Sequence, residues 1–305
     1  MTPPQNTPQA RRYLSHYTQG RDNNFNLLRL VAASLVLMTH SFVLSTGRHE
    51  TEPLWASLGV TWGSIAVDVF FVTSGFLVTG SLLYRRSLRE FLAARMLRIY
   101  PALWVALGLT VVVVGLFFST LDFGAFLSEK LTWKYLVRNA TLLTNIVYVL
   151  PGAFADVPFK NAVNGSLWTM PEEVKMYLTL AGLWVLARLA RVNPARWVAV
   201  ACIALAMAGV AGSTILFAQG VATMDFTLVG LGAMFFAGAA LRILQDRVVV
   251  SHAAVIGLFI ALLVFATLEH TTAFGVLYRL ATPYLVLYLA LVPAGRIRRF
   301  NVLGD

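Results

Sequence analysis

The chain has 305 residues, of which 58% are hydrophobic and only 12% are charged. A soluble globular domain carries about 25% charged and about 45–50% apolar residues, so this composition argues against that class and is typical of a protein that crosses a membrane several times. A net charge of +10 also occurs in nucleic-acid-binding proteins, but here the basic residues form short clusters between apolar runs. That pattern is the positive-inside bias of membrane proteins. We therefore expect lipid, and no nucleic acid, to be the partner of this surface.

The N-terminal segment 1–24 is polar and proline-rich, and no apolar region directly follows Met1 as it would in a cleaved signal peptide. We expect a disordered cytoplasmic tail there. Eight apolar runs follow, and each predicts a transmembrane helix, because lipid tolerates only helices and closed barrels. The predicted fold class is an all-α, polytopic membrane bundle of about eight helices. The predicted spans are 26–46, 63–84, 100–119, 174–190, 197–218, 226–244, 249–268 and 275–293.

Every second gap between these spans is rich in arginine, which places those gaps and the N-terminus in the cytoplasm. The run LTWKYLVRNATLLTNIVYVL at 131–150 would reverse everything after it if it crossed the membrane. Lys134, Arg138 and Asn139 disfavour a crossing, and we expect an interfacial or re-entrant helix on the outer face. The cytoplasmic clusters are Arg11, Arg12 and Arg21; Arg85, Arg86, Arg89, Arg95 and Arg98; Arg188, Arg191 and Arg196; Arg242 and Arg247; and Arg296, Arg298 and Arg299.

Cys202 is the only cysteine and lies inside the fifth apolar run. The sequence therefore predicts no disulfide framework and no cysteine-based metal site. We expect no metal and no permanently bound cofactor.

The first span carries two polar groups, Arg29 and His40, separated by ten uncharged residues. In a helix, eleven steps advance the chain by about 16 Å and leave the two side chains only about 20° apart around the axis. Both therefore lie on one face, with Arg29 near the cytoplasmic surface and His40 in the outer half of the membrane. Snorkelling to the surface also explains Arg29. His40 lies too deep for that, and it is either part of a functional cavity or a satisfied structural histidine.

Three carboxylates fall near the expected depth of His40. Asp68 lies about 7 Å below the outer surface in the second span. A hydrogen bond from its carboxylate would fix the tautomer of the imidazole and raise its basicity, although local capping or pairing explains Asp68 equally well. Glu172 and Glu173 follow Pro171 in the first turn of the fourth span. Negative charge at a helix N-terminus accounts for one of them, but not for Trp168 beside them.

Four motifs, in this order, resemble the membrane acyltransferase-3 family. They are the Arg29–His40 pair, VDVFFVTSGFLVTGSLL at 67–83, RMLRIYPALW at 95–104 and GSLWTMPEEVKMYL at 165–178. They cover most of 25–178, whereas 190–295 adds only apolar spans. Members of this family attach acetyl or other acyl groups to sugars, often on bacterial surface polysaccharides. The resemblance implies a membrane O-acyltransferase, integral to the bacterial plasma membrane, that moves an acyl group to a sugar hydroxyl.

The resemblance also implies roles for residues at the matching positions. His40 would be the catalytic base, Arg29 its motif partner, and Glu173 or Asp68 the carboxylate that tunes it. The donor would be a cytoplasmic acyl-CoA whose phosphates bind the basic segment after the second span, and the acceptor would be a saccharide. The donor-binding candidates are Arg95, Arg98, Arg85, Arg86, Ser74 and Gly75, and the acceptor-binding candidates are Trp168, Asn164 and Glu172.

Two alternatives stay open. Positive-inside bias and anionic lipid explain the basic segment without a donor. A transporter or flippase of a lipid-linked saccharide also needs charges inside the membrane, and only an acyltransferase consumes acyl-CoA.

The C-terminal run RRFNVLGD resembles the family's lead into another span, and the sequence ends at Asp305. We expect a single transmembrane acyltransferase domain at 25–305. Either this final helix is absent from the protein, or the sequence stops before it. The oligomeric state is not predicted by the sequence.

Overall fold

A computed structural model describes residues 12–20, 22–85, 87–220, 224–268 and 271–304. The regular structure in these ranges is helical apart from two isolated β-bridges, which confirms the predicted fold class. The α-helices are α1 Phe25–Thr46, α2 Pro53–Leu58, α3 Trp62–Arg85, α4 Leu88–Phe117, α5 Phe123–Ser128, α6 Lys130–Thr141, α7 Thr169–Leu189, α8 Pro194–Ala218, α9 Met224–Ile243, α10 His252–Thr267, α11 Thr271–Leu291 and α12 Arg296–Arg299. Short 3₁₀ helices occupy Leu14–Tyr17, His49–Thr51, Gly165–Trp168 and Phe300–Gly304.

Each of the eight predicted spans is a helix. By length and composition, α1, α3, α4, α8 and α11 are long and apolar enough to cross a membrane. Shorter apolar helices lie within α9 and at α10, while α7 carries charges in its first two turns. Helix α10 exposes large apolar side chains along its length, as expected of a helix that faces lipid: Ile256, Phe259, Ile260, Leu263 and Val264.

Helix α4 differs from the prediction. It begins at Leu88 instead of residue 100, so Arg95 and Arg98 lie in the same helix as the apolar run. The hydroxyl of Ser87 accepts a hydrogen bond from the Glu90 amide at 3.4 Å and caps this N-terminus. Hydropathy finds only the part of a helix that lies in lipid, and it therefore missed the polar first turns.

The ambiguous run at 131–150 is not a spanning helix, as predicted. Helix α6 has 12 residues and is about 18 Å long, whereas a bilayer core is about 30 Å thick. The helix ends at Leu142, which has a left-handed backbone conformation. The buried Asn139 then fixes the chain that follows α6 against this helix. Its side-chain amide donates a hydrogen bond to the Val147 carbonyl, and its side-chain oxygen accepts one from the Val147 amide, both at 2.8 Å.

Part of the segment 1–24, which was expected to be a disordered tail, has backbone partners in the structure, while residues 1–11 and 21 lie outside the described residues. The Leu14 amide donates to the Val248 carbonyl at 2.8 Å, the Val250 amide donates to the Arg12 carbonyl at 2.8 Å, and Tyr13 forms an antiparallel bridge with Val249. Leu14 is only 1% exposed. One apolar side chain and a few backbone partners thus order a segment whose composition is otherwise polar.

Backbone contacts divide the chain into two compact units. Unit 1 comprises the described residues of 1–32, 68–76 and 202–305, and unit 2 comprises those of 33–67 and 77–201.

Within unit 1, helices α3 and α9 touch backbone to backbone. A Cβ atom added to Gly75 would lie 1.9 Å from the Phe235 carbonyl oxygen, and one added to Gly238 would lie 2.3 Å from the Val72 carbonyl oxygen. Small residues at such crossings allow the close approach that drives helix association in membranes.

Within unit 1, the residue before α1 is hydrogen-bonded to the end of α11. Asn24, which is 1% exposed, donates its amide side chain to the carbonyls of Leu289 and Pro293 at 3.1 and 2.9 Å. Its backbone amide donates to the Ala290 carbonyl at 2.7 Å. Asn24 therefore satisfies carbonyl groups that the end of α11 would otherwise leave unpaired.

Candidate functional site

Arg29 and His40 lie on one unbroken helix, α1, and both are half-buried. Because the helix is continuous, the predicted separation and shared face hold. Arg29 belongs to unit 1, and His40 belongs to unit 2. The role of His40 as the base stays a prediction.

Asp68 belongs to a polar cluster inside unit 1. Its carboxylate Oδ2 accepts a hydrogen bond from the Tyr278 hydroxyl at 2.7 Å, and the guanidinium of Arg279 interacts electrostatically with it. Arg279 donates from Nη1 to the Gly275 carbonyl at 3.2 Å. Gly230 of α9 lies beside this guanidinium, since a Cβ atom there would be in ordinary van der Waals contact with Nε, at 3.5 Å. These three polar side chains come from α3 and α11, two helices far apart in sequence.

Sequence analysis missed Tyr278 and Arg279. The available signal was an arginine inside an apolar span, which is rare and by default marks a functional or paired group. The spacing gave no indication of its partner. The predicted hydrogen bond between Asp68 and His40 stays a prediction.

Helix α7 separates the two adjacent carboxylates by their environment. Glu172 accepts a hydrogen bond from the exposed Lys175 at 2.6 Å. Glu173 instead accepts a hydrogen bond from the hydroxyl of Tyr177, one turn further along the helix. Both glutamates are half-buried, but Tyr177 is 4% exposed, whereas Lys175 is exposed. The structure therefore distinguishes the two carboxylates by their partners: Glu172 pairs with an exposed lysine, and Glu173 pairs with a buried tyrosine hydroxyl.

Arg95, on α4, is an electrostatic partner of the same carboxylate. Its guanidinium interacts electrostatically with Tyr177 and Glu173, and also with Arg98 and Arg85. From the sequence, Arg95 was expected at the cytoplasmic surface and Glu173 near the outer surface. Both belong to unit 2, and their charges interact although the two residues come from different helices.

The remaining donor-binding candidates have varied surroundings. Arg98 is exposed, Ser74 is half-buried, and Arg85 lies 3.9 Å from Glu90 at an exposed site. Gly75 has a packing role at the contact with α9 that explains a glycine without any ligand. Arg86 lies outside the described residues. Donor binding by this set stays a prediction.

The acceptor-binding candidates lie at the start of α7. Asn164 donates its amide to the Thr110 hydroxyl at 2.8 Å and to the Tyr135 hydroxyl at 2.9 Å. Its backbone is left-handed, with φ of 52°, a conformation that asparagine tolerates better than most residues. These bonds anchor the start of α7 to α4 and α6. Trp168 is half-buried at the end of the Gly165–Trp168 3₁₀ helix. Acceptor binding stays a prediction for both.

No group of three or more His, Cys, Asp or Glu side chains that could hold a metal ion occurs among the described residues.

The fold and these clusters define a polytopic helical membrane protein with ionisable groups held inside its helices. The chain belongs to the acyltransferase-3 family, because the family described as "Acyltransferase domain" matches residues 22–304.

Among curated proteins, the chain is 32% identical over 183 residues to "Nodulation protein 10" of Rhizobium leguminosarum bv. viciae, a match that covers 54% of this chain and 45% of the relative. It is 32% identical over 162 residues to "O-acetyl transferase" of Shigella phage Sf6, covering 52% of this chain and 44% of the relative. The matches thus span about half the length of these relatives. No solved structure is significantly similar to the chain.

Proposed function

We propose that the protein is a membrane O-acyltransferase that transfers an acyl group, most simply acetyl, from cytoplasmic acyl-CoA to a hydroxyl of a surface or exported polysaccharide. Family membership and the relative named "O-acetyl transferase" support this class of reaction. The observation that carries the proposal is Glu173, a half-buried carboxylate that accepts a hydrogen bond from the buried Tyr177 and interacts electrostatically with Arg95. Both Glu173 and Arg95 lie in motifs that resemble this family.

His40 is the general base in this mechanism. It accepts the proton of the sugar hydroxyl while the oxygen attacks the thioester carbonyl. The C–S bond then breaks, the sugar ester remains, and the thiolate of CoA leaves with the proton returned by the imidazolium. A fixed carboxylate near an imidazole stabilises the imidazolium that forms between these steps. His40 and Glu173 both belong to unit 2, and Glu173 is the carboxylate we assign to this role.

Donor and acceptor reach the protein from opposite faces. The basic segment with Arg85 and Arg98 suits the phosphates of CoA, because guanidinium groups bind phosphate through two parallel hydrogen bonds. An extended pantetheine arm reaches about 16 Å, roughly the length of five extended residues, which matches the distance along α1 from the level of Arg29 to that of His40. The aromatic ring of Trp168 and the amide of Asn164 suit a sugar.

The test is acetyl transfer by purified protein in lipid nanodiscs, with radiolabelled acetyl-CoA and a polysaccharide acceptor. We expect His40→Ala to lower kcat by about 10²-fold or more, the usual size of a general-base contribution. His252→Ala is the matched control, since His252 lies at the exposed start of α10, and it should keep wild-type activity. Full transfer by His40→Ala would refute the base. A wild type that moves lipid-linked saccharide and consumes no acetyl-CoA would instead be a transporter.

A further inference from the structure

Helices α4 and α7 run antiparallel within unit 2, and two contacts fix their alignment. At one end, Asn164, just before α7, donates a hydrogen bond to Thr110 of α4. At the other end, Leu88, the first residue of α4, lines a small surface cavity with residues of the last turns of α7, namely Trp184, Val185, Arg188 and Leu189. The two contacts lie at opposite ends of the helices, and together they set the register of α4 against α7.

This alignment brings Arg95 level with Tyr177. Arg95 is seven residues beyond Leu88 on α4, and Tyr177 is seven residues before Trp184 on α7. Because both helices rise about 1.5 Å per residue, the two positions lie about 10 Å from the cavity end. Counting from the Asn164–Thr110 contact gives 15 residues to Arg95 and 13 residues to Tyr177, a difference of about 3 Å along the helix axes. The electrostatic interaction of Arg95 with Tyr177 and Glu173 agrees with this register.

The carboxylate of Glu173 is held from two sides in this arrangement. Tyr177, buried on the same face of α7, donates its hydroxyl hydrogen to Oε1, and residues four apart on a helix are neighbours. Arg95 supplies positive charge from α4, and its Nε is buried with no hydrogen-bond partner in the part of the chain that the structure describes. Glu172 does not compete for this charge, since Lys175 already pairs with it.

We propose that Tyr177 and Arg95 are positioning residues for Glu173: the hydroxyl fixes the orientation of the carboxylate by its hydrogen bond, and the positive guanidinium attracts the carboxylate toward α4. The inference rests on the proposed function and deepens it. It assigns the main role of Arg95 to the carboxylate and not to the phosphates of the donor. Arg98, exposed three residues further along α4, remains the donor-binding arginine of this helix.

The steady-state kinetics of acetyl transfer in nanodiscs separate the two roles. Arg95→Gln and Tyr177→Phe should each lower kcat about tenfold or more and leave the donor KM within about twofold, because they disturb a group that acts in the transition state. Arg98→Gln should raise the donor KM and leave kcat nearly unchanged. Tyr100→Phe is the control, because Tyr100 is also buried and its hydroxyl bonds only the Thr141 carbonyl, at 2.9 Å. It should change neither constant.

A double-mutant cycle with Glu173→Gln then tests whether both residues act through the carboxylate. In the Glu173→Gln background, Arg95→Gln and Tyr177→Phe should cost no further kcat, and Arg95→Lys in the wild-type background should keep much of it, since lysine retains the charge. The proposal is overturned if Arg95→Gln raises the donor KM with kcat intact, or if the single losses multiply in the double variants.

Thermal unfolding keeps this inference separate from the proposed function. The losses in melting temperature of Arg95→Gln and Glu173→Gln should be less than additive, whether or not the protein transfers acetyl groups. Additive losses would overturn the contact between the two residues. A wild type that shows this coupling and consumes no acetyl-CoA would refute the proposed function and leave the contact standing.

Discussion

Tyr278 and Asp68 are 210 positions apart, yet the hydroxyl of Tyr278 donates a hydrogen bond of 2.7 Å to the carboxylate of Asp68. The bond joins α11 to α3 within unit 1. It shows that the C-terminal spans, whose sequence looks merely apolar, place polar groups beside one of the motifs that resemble the family. Arg279, the next residue on α11, adds a positive charge to the same cluster.

Tyr278→Phe removes this hydrogen bond and leaves the ring. A hydrogen bond to a charged group contributes about 1.5–3 kcal/mol to the free energy of unfolding, and we expect a loss of that size for the purified protein in detergent, measured by thermal unfolding. Tyr84→Phe serves as the control, since Tyr84 is 89% exposed and should be neutral. Equal stability of the two variants would show that the Tyr278–Asp68 bond contributes nothing.

Gly75→Ala should disrupt the contact between α3 and α9. The added Cβ would lie 1.9 Å from the Phe235 carbonyl oxygen, and backbone atoms on two packed helices have little freedom to move apart. Overpacking of this kind costs about 1–3 kcal/mol and sometimes more, so the variant should melt at lower temperature or accumulate poorly in the membrane. For Gly257→Ala on α10, where nothing lies within 4 Å, we expect no loss, because alanine favours helix more than glycine does. A stable Gly75→Ala variant would contradict the close crossing.

Asn24→Ala should weaken the contact between the start of α1 and the end of α11. It leaves the carbonyls of Leu289 and Pro293 without their side-chain donor, and a buried unsatisfied group costs about 1–3 kcal/mol. Thermal unfolding of the variant, compared with Gln219→Ala at an exposed helix end, measures this cost. If both variants melt at the same temperature, the hydrogen bonds of Asn24 do not stabilise the contact between α1 and α11.

The raised pKa of Tyr135 predicts that the free energy of unfolding changes at alkaline pH. Burial raises the pKa of its hydroxyl above the usual value of 10.0, against the opposing effect of hydrogen bonds from Asn164, Thr110 and Asn139. The folded protein then keeps a proton that the unfolded chain loses. This contribution to stability is complete below about pH 10 and is lost as the pH rises through the folded-state pKa.

The measurement is the free energy of unfolding as a function of pH, for wild type and for Tyr135→Phe. Stability of the wild type should fall more steeply above pH 10 than that of the variant. Parallel curves would mean that the hydroxyl titrates alike in the folded and unfolded chains.

Helix positions were predictable from sequence because a helix in lipid must be apolar along its length. The first span, predicted at 26–46, is α1 at Phe25–Thr46, and the last, predicted at 275–293, is α11 at Thr271–Leu291. Helix α4 was placed too late because its first turns carry arginines, which hydropathy counts against a span. The docking of Leu14 was missed for a related reason, since a single apolar residue makes no pattern.

Pairings between side chains were not predictable. Periodicity identifies the face of a helix on which Asp68 or Glu173 lies, but the alignment of two helices depends on packing along their whole length. Asp68 was expected to have a partner, and Tyr278 was not considered because its span looked uniformly apolar. Glu172 and Glu173 are indistinguishable by position in the sequence, and only the placement of Lys175 and Tyr177 separates them.

The bridge between Tyr13 and Val249 acts as a topological constraint. Backbone hydrogen bonds from Leu14 to Val248 and from Val250 to Arg12 flank the bridge. Tyr13 and Val249 therefore lie on the same side of a bilayer, so the chain between them crosses it an even number of times. Six helices (α1, α3, α4, α7, α8 and α9) satisfy this parity, and a seventh crossing at 131–150 would violate it. The hydrogen bond between Asn24 and Pro293 applies the same argument to the chain between these two residues, where eight helices give an even number of crossings. If only five helices crossed the bilayer, Asn24 and Pro293 would lie on opposite faces. Hydrogen bonds among a few residues near the two termini thereby determine whether the crossings between them are odd or even in number.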